Sequence, residues 1–346
     1  MPGVTSEPWL PMRTERALLR PFNAADAPAL AAYRNDPETA RYQDWDLPFT
    51  VDDARAMIDE QADLDGPQPD GWVQIAIDVD GRLAGDVAVG MGEQGLLAMI
   101  GYTLDPAFRG RGLATEVAGA VVDRLLAGGA HRVSATLDPA NVSSARVLER
   151  LGFRYEGCAV SAAYVRGEWF DDDRYAILTA ERAAWLARPM SPVVDVRLVQ
   201  LSADNLDAVV RLRTFHSQRR FVAPMEHTFA QILVPGTYDG EPVRPWWRVI
   251  EADGETAGFA LLVEPSARHT VPFLWRLLVD QRFQGRGVGR RAIEAIVDVL
   301  RSQGHGAVEL GYRLGPGTPA GFYTRMGFAP TGEIRDDETI ARLQFG

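Results

Sequence analysis

A chain of 346 residues is longer than one hydrophobic core usually serves, so two domains of about 150 to 200 residues are expected. With 46% hydrophobic and 24% charged residues, and no apolar run near the roughly 20 residues a bilayer requires, no membrane span is expected. A net charge of −11 argues against nucleic acid as a partner, and a single cysteine leaves no intramolecular disulfide. The five histidines show no metal-ligand spacing with Cys158, which reads as a small buried residue rather than a nucleophile. Residues 1–8 lack a basic n-region and an apolar h-region, which makes the cytoplasm the expected location.

In chain order, residues 18–22 read as a strand and 23–34 as a helix capped by Asn23 or Asp26, ended by Asp36-Pro37. A second helix follows at 52–62, then strands at 72–77 and 83–89 around an Asp80-Gly81 turn. Strand 97–104 leads into Arg109-Gly110-Arg111-Gly112-Leu113-Ala114 and a helix at 115–126, where Val117, Val121 and Leu125 share a face. Strand 133–137, helix 143–151 and a strand at 176–178 that closes the sheet complete this unit. Residues 188–194 read as a linker, because Pro189 and Pro192 break the preceding helix at 181–187.

The plan then repeats with a strand at 196–199, a helix at 204–213 and strands at 247–251, 256–263 and 273–279. Next come Gln284-Gly285-Arg286-Gly287-Val288-Gly289, a helix at 290–301, a strand at 308–312 and a helix at 320–326. Residues 218–245 read as irregular. The two glycine loops stand 175 positions apart (284 − 109), as do Gly152-Phe153 and Gly327-Phe328 (327 − 152), so one unit has been laid down twice. The expected domains are 1–187 and 195–346.

A strand that delivers a glycine-rich turn to a helix start leaves backbone N–H groups unpaired before the positive end of the helix dipole, which makes an anion site. Arg111 and Arg286 add cations, and a pyrophosphate is the matching ligand; a plain tight turn is the alternative. A P-loop needs Lys followed by Ser or Thr, and neither loop has it; the dinucleotide fingerprint needs a third glycine that is absent.

With these residues in place, both halves resemble the GNAT superfamily of N-acetyltransferases. Its acetyl-CoA signature, Gln or Arg, two residues, Gly, one residue, Gly or Ala, is matched at Arg109, Gly112 and Ala114 and again at Gln284, Gly287 and Gly289. The resemblance implies a tandem α/β fold, each half an α+β mixed sheet of the acyl-CoA N-acyltransferase type. The first half resembles ribosomal-protein alanine N-acetyltransferases, through Leu19-Arg20-Pro21, Ile100-Gly101-Tyr102 and Asn141 to Phe153. The second is similar to spermidine/diamine acetyltransferases, through Phe221 to Pro224, Leu274 to Asp280 and Gly321 to Phe328.

The resemblance implies acetyl-CoA contacts at Tyr102, Thr103 and Leu104, at Arg109, Gly110, Arg111, Gly112, Leu113, Ala114 and Thr115, and at Asn141. In the second half it implies them at Leu277, Leu278 and Val279 and at Gln284, Gly285, Arg286, Gly287, Val288, Gly289 and Arg290. It places a general acid at Tyr323, with packing against Phe322 and Phe328 as the alternative role, and Leu148 stands at the matching position of the first half (323 − 175). Met99 stands where the family commonly carries an acidic residue, and the resemblance makes Ser144 a CoA contact or a substitute acid, with helix capping at Ser143 or Asn141 as the alternative. No general base is identified. Trp246, Trp247 and Trp275 are weighed as an aromatic acceptor pocket against core packing. The expected activity is acetyl transfer from acetyl-CoA to a primary amine of a small molecule, polyamine-like or an amine-bearing antibiotic. The alternatives are a half that only binds CoA or forms dimers, or a peptide N-terminus as acceptor. The acceptor is expected to be read by residues 33–49 and 218–245, and a homodimer is left open.

Overall fold

The computed structural model describes residues 8–92, 94–238 and 240–346, so the reading of residues 1–8 lies, but for Pro8, outside the described residues. The chain divides into two compact units, Met1–Ala187 and Arg188–Gly346.

The first unit runs β1 (Met12–Arg13), β2 (Leu18–Arg20), α1 (Ala27–Arg34), α2 (Pro37–Ala40), α3 (Val51–Glu60), β3 (Trp72–Val79), β4 (Arg82–Met91), β5 (Leu97–Leu104) and α4 (Leu113–Ala127). It continues with β6 (Arg132–Leu137), α5 (Val142–Leu151), β7 (Arg154–Val165), β8 (Glu168–Leu178) and α6 (Thr179–Ala187). The sheet order is β1-β2-β3-β4-β5-β6-β8-β7, antiparallel except for β5 against β6. α4 forms because Gly112, left-handed at φ 79°, turns the chain into a helix whose Val117, Val121 and Leu125 are buried. Each of these stabilises by about 1.5–3 kcal/mol. α1, α3 and a separate apolar cluster around Leu30 and Ile58 cover the other face.

The second unit comprises β9 (Val196–Val199), α7 (Ala203–Val210), α8 (Met225–Leu233), β10 (Thr237–Tyr238), β11 (Glu241–Pro242), β12 (Pro245–Ala252), β13 (Glu255–Val263) and β14 (Phe273–Val279). α9 (Val288–Ser302), β15 (Ala307–Tyr312), α10 (Ala320–Arg325), β16 (Ala329–Arg335) and β17 (Glu338–Gln344) complete it. Its main sheet, β9-β12-β13-β14-β15-β17-β16, repeats the first, again with one parallel pair, β14 with β15.

The repeated Gly-Phe pairs are structural. Gly152 and Gly327 end their helices in the left-handed region at φ 89° and 91°, and Phe153 and Phe328 then enter the two cores.

Three expectations change, and two strands, β7 and β16, come in addition to the expected ones. The strand at 176–178 does not close the sheet: it is the end of β8, which lies between β6 and an outer strand, β7. β7 was not legible because none of its residues is buried, so an edge with small and polar side chains carries no apolar alternation. In the same way β16 shows no buried residue. Residues 218–245 are not wholly irregular, since they hold α8, where Met225 and Thr228 are buried. Cys158 is exposed on β7 rather than buried.

Candidate functional site

In both units the glycine loop is built by short-range bonds. Asp105 Oδ1 accepts from the Ala107 amide at 2.7 Å and Asp280 Oδ1 from the Arg282 amide at 3.0 Å, each opening a short 3-10 turn. The first signature side chains turn back onto their own strands. Arg109 Nε donates to the Leu104 carbonyl at 3.0 Å, and Gln284 Nε2 donates to the Val279 carbonyl at 3.0 Å. Arg109 also donates to Thr39 Oγ1, so both side chains hold the loop in place rather than reach out from it.

Gly110, Gly112, Gly285 and Gly287 all lie at φ between 75° and 86°, where an L side chain is strained. Gly112 and Gly287 are the N-caps of α4 and α9, whose first-turn amides have no acceptor within the helix. Arg16 fixes the first loop from behind: its guanidinium donates to the Arg111 carbonyl at 2.7 Å and to Glu116, in the first turn of α4, at 2.6 Å. The two loop arginines differ. Arg111 is exposed, whereas Arg286 is buried and donates to the Ser191 carbonyl at 3.0 Å, with Asp253 at 3.6 Å. The Arg286 guanidinium therefore faces away from any ligand on the loop, contrary to its expected part as a loop cation. Val193 is buried in the second core and donates to the Arg286 carbonyl at 3.0 Å, so part of the expected linker is anchored on the loop.

The parallel strand pairs are short. β5 meets β6 only from Leu97 to Met99, and β14 meets β15 only at Phe273 and Leu274. Beyond these points the strands separate, leaving one edge of residues 100–104 and 275–279 outside the ladder.

In the first unit the separation opens a cleft of about 520 Å³ lined by Tyr102, Thr103, Leu104, Arg109, Gly110, Gly112, Leu113, Ala114, Thr115, Asn141 and Ser144. The structure brings nearly all the expected first-unit site residues together there, together with Arg146 and Arg150, which the motif did not indicate. Their i, i+4 spacing after Asn141 was the available signal. The cleft fits the phosphate and pantetheine parts of CoA: it combines free helix-start amides, arginines and the Thr115 hydroxyl, which is buried and has no hydrogen-bond partner among the described residues. Ser144 lies with its Oγ 2.9 Å from the Tyr102 hydroxyl, which also donates to the Ser144 carbonyl at 3.1 Å. Burial raises the Tyr102 phenol, which stays protonated near neutrality. Leu148 is fully buried in the core.

A second cavity of about 510 Å³ adjoins the first and shares Tyr42, Gln43, Tyr102, Thr103 and Leu137 with it. Met99 lines it at the position where the resemblance has an acidic residue, and the neighbouring strand presents a carboxylate, Asp86, to the same cavity. Asp86 on β4, paired with Thr103, is 3% exposed and accepts a hydrogen bond from the Tyr33 hydroxyl. Burial raises its carboxyl, opposed by the charge of Arg34 and the Tyr33 bond.

The second unit has its own counterpart. Tyr323 is half-buried, stacked 6.1 Å from Tyr312 and edge-on to Phe328 at 5.7 Å, and among the described residues its hydroxyl makes no hydrogen bond. Burial, with the negative charge of Glu338 second, pushes its phenol up to about 12. Glu338 lies over Gly311, whose missing Cβ would sit 2.4 Å from Glu338 Oε2. Burial raises this carboxyl as well, and Arg313 and Arg276 oppose the shift. Glu338, Trp275 and Glu309 line a cavity of about 210 Å³ with Tyr238, Glu241 and Val243. Of the three tryptophans weighed as an acceptor pocket, only Trp275 reaches it. Trp247 packs with the α7–α8 cluster, and Trp246 packs on the core beneath α9 with Arg248 over its ring at 4.3 Å.

Two family models match the chain: an acetyltransferase (GNAT) domain over residues 16–154 and the acetyltransferase (GNAT) family over residues 211–328. "Uncharacterized N-acetyltransferase YnaD" of Bacillus subtilis (strain 168) is 30% identical over 171 residues, 49% of this chain and 96% of its own length. The L-methionine sulfoximine/L-methionine sulfone acetyltransferase of Pseudomonas paraeruginosa is 27% identical, over 45% of this chain and 90% of its own. Among solved structures, Mycobacterium smegmatis RimJ in complex with CoA-disulfide is 24% identical with a TM-score of 0.45, covering 52% of this chain and 95% of that one. No helix among the described residues is long and apolar enough to cross a membrane.

Proposed function

Both units belong to the GNAT family of N-acetyltransferases, and from that premise we propose that this chain acetylates a primary amine of a small molecule and carries a CoA cleft in each unit. Acetyl-CoA, when bound, supplies the activated acetyl thioester. In the net reaction the amine nitrogen gains the acetyl group and loses a proton, while the thioester sulfur leaves and gains one.

The observation that carries this reading is the meeting of two cavities at Tyr102 and Thr103, one floored by free helix-start amides and the other lined by Asp86. An alkylamine with a pKa near 10.4 is mostly protonated at pH 7, so a group must take its proton. Asp86 is positioned to do so, and its raised pKa brings it closer to that task than an ordinary aspartate. Tyr102 with Ser144 holds a proton on the cleft side of the same junction. In the second unit Glu338 and Tyr323 take the corresponding parts. A cavity of about 510 Å³ matches small-ligand pockets, which run from about 300 to 1,000 Å³, and favours a small acceptor over a folded protein.

Titration calorimetry with acetyl-CoA, followed by a panel of polyamines, aminoglycosides, amino acids and peptide N-termini scored by CoA thiol release, tests the reading. Two equivalents bound per chain and turnover with a small amine are expected. One equivalent would make one unit a non-catalytic module, and turnover confined to peptide N-termini would replace the small-molecule acceptor.

A further inference from the structure

The cavity beside the CoA cleft of the first unit contains three arginines that make no ion pair among the described residues. Arg34 is 6% exposed, its guanidinium lies 4.7 Å from the Trp45 and Phe49 ring centroids, and its Nε has no hydrogen-bond partner among the described residues. Arg41 lies over the Tyr42 ring at 5.3 Å. Arg166 donates to the Trp45 carbonyl at 3.2 Å and to the Ala40 carbonyl at 3.0 Å. All three line the cavity, and among the described residues none makes an ion pair.

The position of Arg166 is itself unusual. It occupies the two-residue turn between β7 and β8 at φ 48°, followed by Gly167 at φ 91°. Asn, Asp or Gly suits a turn with both φ values positive, whereas a long side chain there is strained. The strain is offset by the two carbonyl contacts, which bring the hairpin tip onto residues 40–45.

The aspartates of the cavity are placed otherwise. Asp138 and Asp171 accept backbone amides of Ala140 and Ser161, at 2.7 and 2.8 Å, while Asp44 is exposed at the cavity and Asp172 is half-buried with Arg174 as its opposing charge. Asp86 sits at the junction with the CoA cleft, facing Arg34 without pairing to it. A base at the junction beside guanidinium groups that are held by ring faces and backbone carbonyls rather than by ion pairs matches a ligand whose amine and oxyanion are neighbours. The second unit's cavity has a different lining, with Glu264, Glu309, Asp336 and Glu338, and there Arg335 is engaged by Glu333 at 2.6 Å.

We propose that Arg34, Arg41 and Arg166 form an oxyanion subsite in the first unit, so that its acceptor is an amine bearing a carboxylate or phosphonate on an adjacent carbon, an amino-acid-like molecule. Guanidinium forks suit both oxyanions, and the aromatic rings around them suit an apolar side chain. The inference rests on the proposed amine acetylation, and the test separates the two.

L-phenylalanine, phenylalanine amide, phenethylamine and the aminophosphonate analogue of phenylalanine are compared by calorimetric binding to the CoA-loaded full-length protein and by CoA thiol release with acetyl-CoA. The amide keeps the α-amine as a peptide N-terminus presents it and removes the charge. The acid or the phosphonate is expected to bind about 10- to 100-fold tighter than the amide and the amine, the size of a charge-assisted hydrogen bond; which of the two leads identifies the oxyanion. Arg41→Gln with Arg166→Gln should remove that advantage through KM while leaving kcat and the binding of phenethylamine within about twofold. Equal binding of all four probes, binding of none, or an advantage that survives the double substitution overturns the subsite and leaves amine acetylation standing. Arginine-dependent binding of the acid without thiol release supports the subsite and overturns the acetylation reading for this unit.

Discussion

Removing one hydroxyl, with Tyr323→Phe, tests the proton donor of the second unit. The ring contacts with Tyr312, Phe322 and Phe328 do not involve the oxygen, and the hydroxyl has no hydrogen-bond partner among the described residues. Stability should therefore change by no more than about 0.5 kcal/mol. The phenol, pushed up to about 12, is fully protonated at pH 7. Complete transfer of its proton to a thiolate of ordinary pKa, about 8.5, would be uphill by about 3.5 units, or about 5 kcal/mol. Its contribution is then that of a hydrogen bond to developing negative charge, about 1.5–3 kcal/mol, which predicts a 10- to 150-fold fall in kcat. Acetyl-CoA affinity should hold within about twofold. The assay is thiol release at saturating acetyl-CoA with the best amine of the panel, in a Gly110→Asp background. Gly110 is exposed at φ 75°, a region Asp tolerates, and the added carboxylate opposes phosphate binding at the first loop, so the remaining turnover reads the second unit. A kcat within twofold of the background would remove Tyr323 from the chemistry.

Asp86→Asn should lower first-unit turnover at least tenfold and raise stability at neutral pH. Because burial raises the folded-state pKa of Asp86, its contribution to stability is fully present below the unfolded value near 3.9 and is lost as pH rises through the folded value. The Tm advantage of the variant should therefore grow from pH 4 to pH 8, and a shrinking advantage in scanning calorimetry would contradict the assignment. Gly311→Ala places a methyl against Glu338 and should cut second-unit kcat in the same direction as Glu338→Gln; full activity in both variants would exclude Glu338 as the base. Gly287→Val sets a β-branched residue at φ 86°, costing roughly 1–2 kcal/mol, and should remove one of two acetyl-CoA equivalents in a calorimetric titration. Two retained equivalents would place the second cofactor site away from this loop.

What the sequence determined by itself was local and periodic. The two glycine loops, their 175-residue offset, the helix faces of α4 and α9 and most strands follow from spacing within a dozen residues, where covalent geometry and burial periods act directly. The expected contacts on the first loop and on the strand before it fell into one cleft for the same reason. Tertiary structure alone decided the surroundings of the charged and titratable groups. Asp86 is 53 residues from Tyr33, Glu338 lies over Gly311, and Arg166 reaches the 40–45 segment across more than 120 residues. No spacing rule links such positions, because their proximity comes from strand order and from two parallel strands that part after a few residues. The same limit hid the different environments of Arg111, which is exposed, and Arg286, which is buried; they share a motif position but not a neighbourhood. Loop conformation is written in the residues that form it, whereas the environment of a side chain is written in every element that packs around it.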